Sequence, residues 1–200
     1  MADFNRIFNP TEHTYPEFPT GFESWSISGK AQFDTALQVG RQWTEKYGII
    51  PAKDANARSF FSYINELYHA RTIFDIVHLD MQTPANAPIT GAISVNGANQ
   101  TGTMINVTST LNKILKAGDI IKFAGLNLVY NIKTDMTSPT AGSISIYPPI
   151  FAGGSPSNGA TITITGVKFR AALTGSLKMP ARSGGTTYYA GLTLTFRECP

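Results

Sequence analysis

The sequence predicts a mainly β protein: an all-β chain with one prominent helix, in which a small β-barrel interrupts an outer domain. Three observations lead there. Short runs of alternating apolar residues recur along the chain, separated by turns rich in Gly, Pro, Ser and Thr. One segment, after Pro51, carries apolar residues at helical spacing. The composition changes at Pro84 and changes back after Gly166, so the middle differs from both ends.

The clearest alternation lies in Lys116–Phe151. Ile121 and Phe123, then Leu128, Tyr130 and Ile132, then Ile144 and Ile146 mark three antiparallel strands with one buried face. Gly118-Asp119 and the Thr137–Gly142 segment supply turns. Ile93 and Val95, Ile105 and Val107, and Ile162 and Ile164 add three more strands, which makes a small barrel of about six. Thr110–Leu115 reads as one helical turn. The charged residues of this middle segment are only Lys113, Lys116, Asp119, Lys122, Lys133 and Asp135, and its aromatics only Phe123, Tyr130, Tyr147 and Phe151. The economical division is an outer domain of residues 1–84 plus 167–200, interrupted by a barrel of residues 85–166.

In the outer domain, Pro10, Pro16 and Pro19 among Phe4, Phe8, Tyr15 and Phe18 predict a non-helical arm. It packs either on a neighbouring subunit or on its own domain. Trp25 and Ile27 form one alternating run, and Phe33, Thr35, Leu37 and Val39 another. Trp43, Tyr47 and Ile49 follow, with Glu45 breaking their pattern. Gly40-Arg41 between the last two runs reads as a tight hairpin turn. Asp54 is the expected N-cap of the helix, whose apolar stripe is Ala57, Phe60, Phe61, Ile64, Leu67 and Tyr68. Arg71 suits its C-terminal end. Ile73–Met81 reads as a strand buried on both faces. Val167, Phe169, Ala171 and Leu173 alternate, as do Tyr188, Ala190, Leu192, Leu194 and Phe196, with a Gly-rich loop over Lys178–Thr187 between them.

Composition narrows the function. Charged residues make up 14% of the chain, against about 25% in an average globular protein. That fits a surface which contacts other subunits more than water. The net charge of +3, without a Lys/Arg run, does not point to nucleic acid. No apolar run is long enough for a membrane span, and the opening residues lack the apolar stretch of a signal peptide, so synthesis in a cytoplasm is expected. His13, His69 and His78 have no partner at metal-ligand spacing, and Cys199 stands alone. Gly153-Gly154 and Gly184-Gly185 do not open a helix after a strand, so neither makes a phosphate loop. No catalytic residue, metal or cofactor is expected. A cell-wall hydrolase would need a carboxylate pair in a cleft, and the barrel offers only Asp119 and Asp135. Within the barrel Phe123 and Tyr130 fit the buried alternation. A glycan contact by stacking falls on Tyr147 and Phe151, where strand-end packing is the favoured reading.

Several segments carry a resemblance. They are TYPEFPTGFES at Thr14–Ser24, FFSYINELYHARTIFDIVHLD at Phe60–Asp80, KAGDIIKF at Lys116–Phe123, VYNI at Val129–Ile132, SISIYPPIF at Ser143–Phe151, FRAAL at Phe169–Leu173 and YAGLTLTFRE at Tyr189–Glu198. In this order and spacing, over nearly the whole chain, they resemble the distal tail proteins of siphophages, in the form carried by T-odd coliphages with long flexible tails. The middle loops and the Gly-rich segment before the last strand depart from that family. The resemblance implies a β-sandwich or split-barrel domain that forms a ring, with an inserted OB-like barrel facing outward. It implies a homo-hexamer in the virion tail tip, between the tail tube protein and the baseplate hub or tip protein, with a lumen for DNA passage and no specific nucleic-acid binding. Subunit contacts are expected at Phe4, Phe8, Gly40, Arg41, Lys178 and Arg182. The competing functions are a carbohydrate-binding module that touches the host surface through the barrel, and a tail tube subunit.

Overall fold

The structure, a computed structural model, describes residues 2–18, 23–25, 31–33, 40–51, 55–151, 153–180 and 188–199, with the backbone alone at 23–25, 31–33 and 141. Its elements in chain order are β1 (Glu12–His13), β2 (Glu23–Trp25), β3 (Ala31–Phe33), β4 (Gln42–Pro51), α1 (Ala55–His69), β5 (Phe74–Val77), β6 (Ile93–Val95), β7 (Gly102–Ser109), β8 (Ile120–Phe123), β9 (Tyr130–Ile132), β10 (Ala141–Ile150), β11 (Ile162–Thr163), β12 (Lys168–Thr174) and β13 (Tyr188–Glu198). The chain is mainly β and divides into two compact units, Met1–Asp75 with Arg170–Pro200, and Ile76–Phe169. The division is an insertion, with its first crossing at β5 rather than at Pro84.

The unit built from the chain ends is a curled five-stranded sheet, half of a barrel, in the order β1-β4-β13-β12-β5. Its longest ladder joins β4 to β13, antiparallel from Arg197↔Gln42 to Tyr188↔Pro51. Alternation sends Trp43, Tyr47, Leu192, Leu194 and Phe196 into the core. The helix α1 buries Ala57, Phe60, Ile64 and Leu67, as its stripe predicts. Phe60 meets Tyr47 at 5.4 Å, and Phe61 meets Tyr189 edge-on at 5.0 Å. Each fully buried Phe contributes about 1.5–3 kcal/mol, so this aromatic seam is a main support of the unit. The helix ends where Arg71 takes a left-handed φ of 51°. Thr72 N–H then donates to Leu67 O and Arg71 N–H to Tyr68 O, which satisfies the last carbonyls. The Asp54 cap lies outside the described residues.

The N-terminal arm packs on its own unit. Asp3 bridges Asp75 in parallel, with Phe4 N–H donating to Asp75 O at 2.7 Å. Phe4 is 8% exposed, among the rings of Phe74, Phe196 and Tyr63. Phe8 meets Phe60 edge-on at 5.5 Å. The arm then runs along β4: Thr11 N–H donates to Lys46 O, Thr14 N–H to Thr44 O, and Glu17 and Gln42 exchange both bonds. Proline keeps the arm out of a helix, and the sheet edge takes up its free N–H groups.

Four expectations are corrected in this unit. Gly40-Arg41 is not a hairpin turn onto a neighbouring run, because β4 lies between β1 and β13. Gly40 instead sits against the end of the chain, where an added Cβ would lie 2.2 Å from Glu198 O. Glu45 does not break the buried face but lies on it. Ile49, expected to share that face, is 68% exposed. The strand predicted over Ile73–Met81 ends at Val77, and Leu79–Met81 is a 3-10 turn capped by His78, whose Nδ1 accepts from Asp80 N–H at 3.3 Å. Of the runs expected over Ser24–Val39, only β2 and β3 fall among the described residues, and they pair antiparallel.

The inserted unit is a nearly closed six-stranded barrel, in the order β11-β8-β9-β10-β7-β6. A Ser94↔Thr161 bridge and a Val95 N–H to Ala160 O bond draw the two ends of that order together. β8, β9 and β10 form a meander and β7 lies beside β10, which is a Greek-key connection. All six predicted strands are present. Ile105, Val107, Ile121, Phe123, Ile132, Ile144 and Ile146 point into one core. Leu128 lies just before β9 and packs on that core only in part. The helical turn expected over Thr110–Leu115 does not form, because Thr110 and Asn112 N–H groups donate to Ala92 and Thr90 carbonyls and extend the sheet. Gly91 makes this possible: with φ of 102°, it sits where a Cβ would lie 2.2 Å from Thr110 O.

Candidate functional site

Among the described residues, the charged groups that lie deepest serve the scaffold. Glu45 is fully buried and accepts from Arg6 of the arm, Nε at 3.2 and 3.1 Å and Nη2 closer still. The Tyr47 hydroxyl donates to Glu45 Oε2 at 2.9 Å. Burial, and next the Glu45 charge, push the Tyr47 phenol above its ordinary value. A second buried pair joins Arg41 to Glu198, Nη1 to Oε2 at 3.5 Å, with the Arg41 backbone N–H donating to the same oxygen at 3.3 Å. The Phe18 ring lies 4.7 Å from that guanidinium. These pairs fasten the arm and the chain end to β4.

The two aspartates of the barrel organise one turn. Asp119 is buried and accepts from Ala85 N–H at 2.7 Å and Lys116 N–H at 2.8 Å. Asp135 accepts from Ala117 N–H at 2.8 Å and from Lys116 Nζ at 2.7 Å. The Lys116 bond, then the Ala117 bond, hold the Asp135 carboxyl below its usual range. Gly118, at φ of 94°, lets the Lys116–Asp119 turn close between them. Asp119 thereby ties the first residues after Pro84 to the start of β8. No group of three or more His, Cys, Asp or Glu at metal-binding distance occurs among the described residues. A shallow recess of about 220 Å³ opens beside β4, with Tyr15, Glu17, Gln42, Trp43 and Thr195 among its walls.

The predicted contact residues separate sharply. Phe4, Gly40 and Arg41 are buried within the unit, and Phe8 is partly covered by Phe60. As placed, none of the first three offers surface to a neighbour. Lys178 is exposed, and Arg182 lies outside the described residues. Tyr147 and Phe151, where strand-end packing was favoured, are 41% and 60% exposed. Tyr147 stands on the outer face of β10 opposite Asn131.

One surface was missed. Gly191, with φ of 81°, interrupts the β4–β13 ladder between Leu192↔Tyr47 and Ala190↔Ile49. Beyond it the burial pattern of β4 changes, so that Ile50 is buried while Ile49 and Pro51 are exposed. Ala190 and Tyr188, their partners across the ladder, are exposed with them. Four apolar residues thus share one open face. Alternation with Tyr47 and Leu192 on the same two strands makes the whole run read as core, and only Gly48 and Gly191, at the break in the ladder, hint otherwise.

In comparisons with known proteins, no family model matches the chain and no curated protein matches it.

Proposed function

We propose that the protein is a non-enzymatic structural subunit of a phage tail tip. In this reading six copies form a ring at the distal end of the tail, between the tail tube protein and the hub or tip protein. The lumen passes DNA without binding it specifically. The chain is made in the host cytoplasm and ends in the virion, and it needs no cofactor. One observation carries the reading: segments from both sides of the insertion build a single curled sheet, and the residues between them in sequence form a separate Greek-key barrel, the organisation that the ordered segments of the resemblance imply. Two further features agree with it. The barrel carboxylates are engaged in holding a turn, and the low charge content suits broad contact between subunits.

Labelled antibody on purified virions, with copy number from quantitative mass spectrometry, tests the reading. Label at one tail end and about six copies are expected from a closed cyclic ring. Many copies along the tail would make the protein a tube subunit, and no label on any virion would end the proposal.

The exposure of Tyr147 and Phe151 supports a second role, in which the barrel touches a host-surface glycan by aromatic stacking. Weak binding on a glycan array that disappears in both Tyr147→Ala and Phe151→Ala is expected. Unchanged binding in both variants would remove this role.

A further inference from the structure

We propose that Arg170 and Arg197, side by side on the outer face of the β12–β13 pair, form a docking site for a carboxylate-bearing segment of a neighbouring protein. The inference goes beyond the ring reading and does not depend on it.

Strand register brings the two arginines together. Ala171 pairs with Glu198 and Ala172 with Arg197, and Cys199 N–H donates to Arg170 O at 2.7 Å. Arg170 therefore stands opposite Cys199, and Arg170 and Arg197 are diagonal neighbours, a separation that long side chains span. Alternation turns Phe169, Ala171 and Leu173 of β12 inward, with Phe196 and Glu198 of β13. It turns Arg170, Ala172 and Arg197 to the other face, where both arginines are partly exposed. Their convergence is felt at Cys199. Burial holds its thiol above the ordinary value, against the charges of Arg170 and Arg197, which both pull it down. Ala172, across from Arg197 and two residues on from Arg170, puts only a methyl group into the corner between them.

These arginines differ from the protein's other described cations in having no anion. Arg6 and Arg41 are each held by a buried carboxylate, and Lys46 and Lys116 by exposed ones. Among the described residues neither Arg170 nor Arg197 forms an ion pair, and Arg170 Nε is buried without a hydrogen-bond partner. Asp75, on the flanking strand β5, pairs with neither. A buried donor without an acceptor is costly, and two like charges this close repel. A carboxylate set over Ala172 relieves both. A guanidinium takes a carboxylate through two parallel bonds, so the pair fixes the orientation of an acidic side chain as well as its charge. A nucleic-acid backbone suits the site less, because it calls for a row of cations. The same-face neighbours of Arg197 are Gln42 across the ladder and, one row on, Thr195 and Thr44.

NMR of the arginine Nε–Hε groups, during titration of the full chain with a hexaglutamate peptide, tests this. The Arg170 and Arg197 signals are expected to shift together and to saturate. Those of Arg6 and Arg41, already paired, should stay in place. Arg197→Gln should weaken the response at Arg170 at least tenfold. Arg170→Lys, which keeps the charge but not the fork, should weaken the response at Arg197. Circular dichroism and the melting temperature check that both variants are folded. An oligothymidylate of equal charge should bind more weakly than the peptide. Absence of a saturable shift in the wild type ends the proposal. So does an Arg170 response that is unchanged in Arg197→Gln, since the two would then not act as one site. Tighter binding of the oligothymidylate would give the surface to nucleic acid and overturn the carboxylate assignment.

Discussion

Arg6→Ala should be the most informative single change in the outer unit. Arg6 belongs to the arm, and its guanidinium is the cation beside a carboxylate with no solvent exposure, Glu45. Once it is gone, Glu45 keeps the Tyr47 hydroxyl as its one described side-chain donor. Removing one partner of a buried pair costs about 3–5 kcal/mol, because the other charge stays buried. Arg6 is 15% exposed on its side chain, so water enters the gap and the lower figure, about 3 kcal/mol, applies. At a urea slope of about 2 kcal/mol/M, that moves the unfolding midpoint down by about 1.5 M. Fluorescence of Trp43, buried in the same sheet, follows this unit's transition. The double variant Arg6→Met with Glu45→Gln should recover most of the loss, since no uncompensated charge remains. Amide exchange at Phe4, whose N–H donates to Asp75 O, should quicken in Arg6→Ala as the arm loosens. A loss below about 1 kcal/mol, the range of an exposed pair, would refute the reasoning. So would a double variant no better than the single one.

Gly40→Ala should destabilise the outer unit by about 2 kcal/mol or more, because its Cβ would lie 2.2 Å from Glu198 O and backbone must move; an unchanged urea midpoint would count against the close approach. Asp119→Ala strips the Ala85 and Lys116 N–H groups of their acceptor and should cost the barrel about 2 kcal/mol, read as a lower melting temperature. The Asp135 carboxyl is held below its usual value, so its folded form favours the charged state. Its contribution is complete above the ordinary carboxylate range and is lost as pH falls through the lowered value. The stability gap between wild type and Asp135→Asn should therefore be present at neutral pH and vanish in acid, and a gap that widens in acid would reverse the assignment.

The barrel was legible in the sequence because its strands obey one rule. Ile105, Val107, Ile121, Phe123, Ile144 and Ile146 face a single closed core, and period-two alternation reports a single buried face directly. The outer unit was harder because its partners are distant in sequence. Glu45 looked like an interruption of Trp43 and Tyr47 until Arg6 arrived beside it from the arm. Gly40 and Arg41 looked like a hairpin because Glu198, which explains both, stands at the other end of the chain. Ile49 alternated correctly with Tyr47, yet Gly191 on the facing strand altered which side is covered. Periodicity shows which residues share a face, but the partner strand and the glycines in it decide whether that face is buried.

The position of β13 bears on how the chain is made. Among the described residues it is the last strand in chain order, yet it lies in the middle of its sheet, between β4 and β12. During synthesis the barrel, a continuous stretch from Ile76 to Phe169, leaves the ribosome complete while the outer sheet still lacks its centre. The barrel can thus fold first on the nascent chain, domain by domain, while β4, α1 and the arm wait for β13. The outer unit can close only once β13 has followed the barrel out of the ribosome.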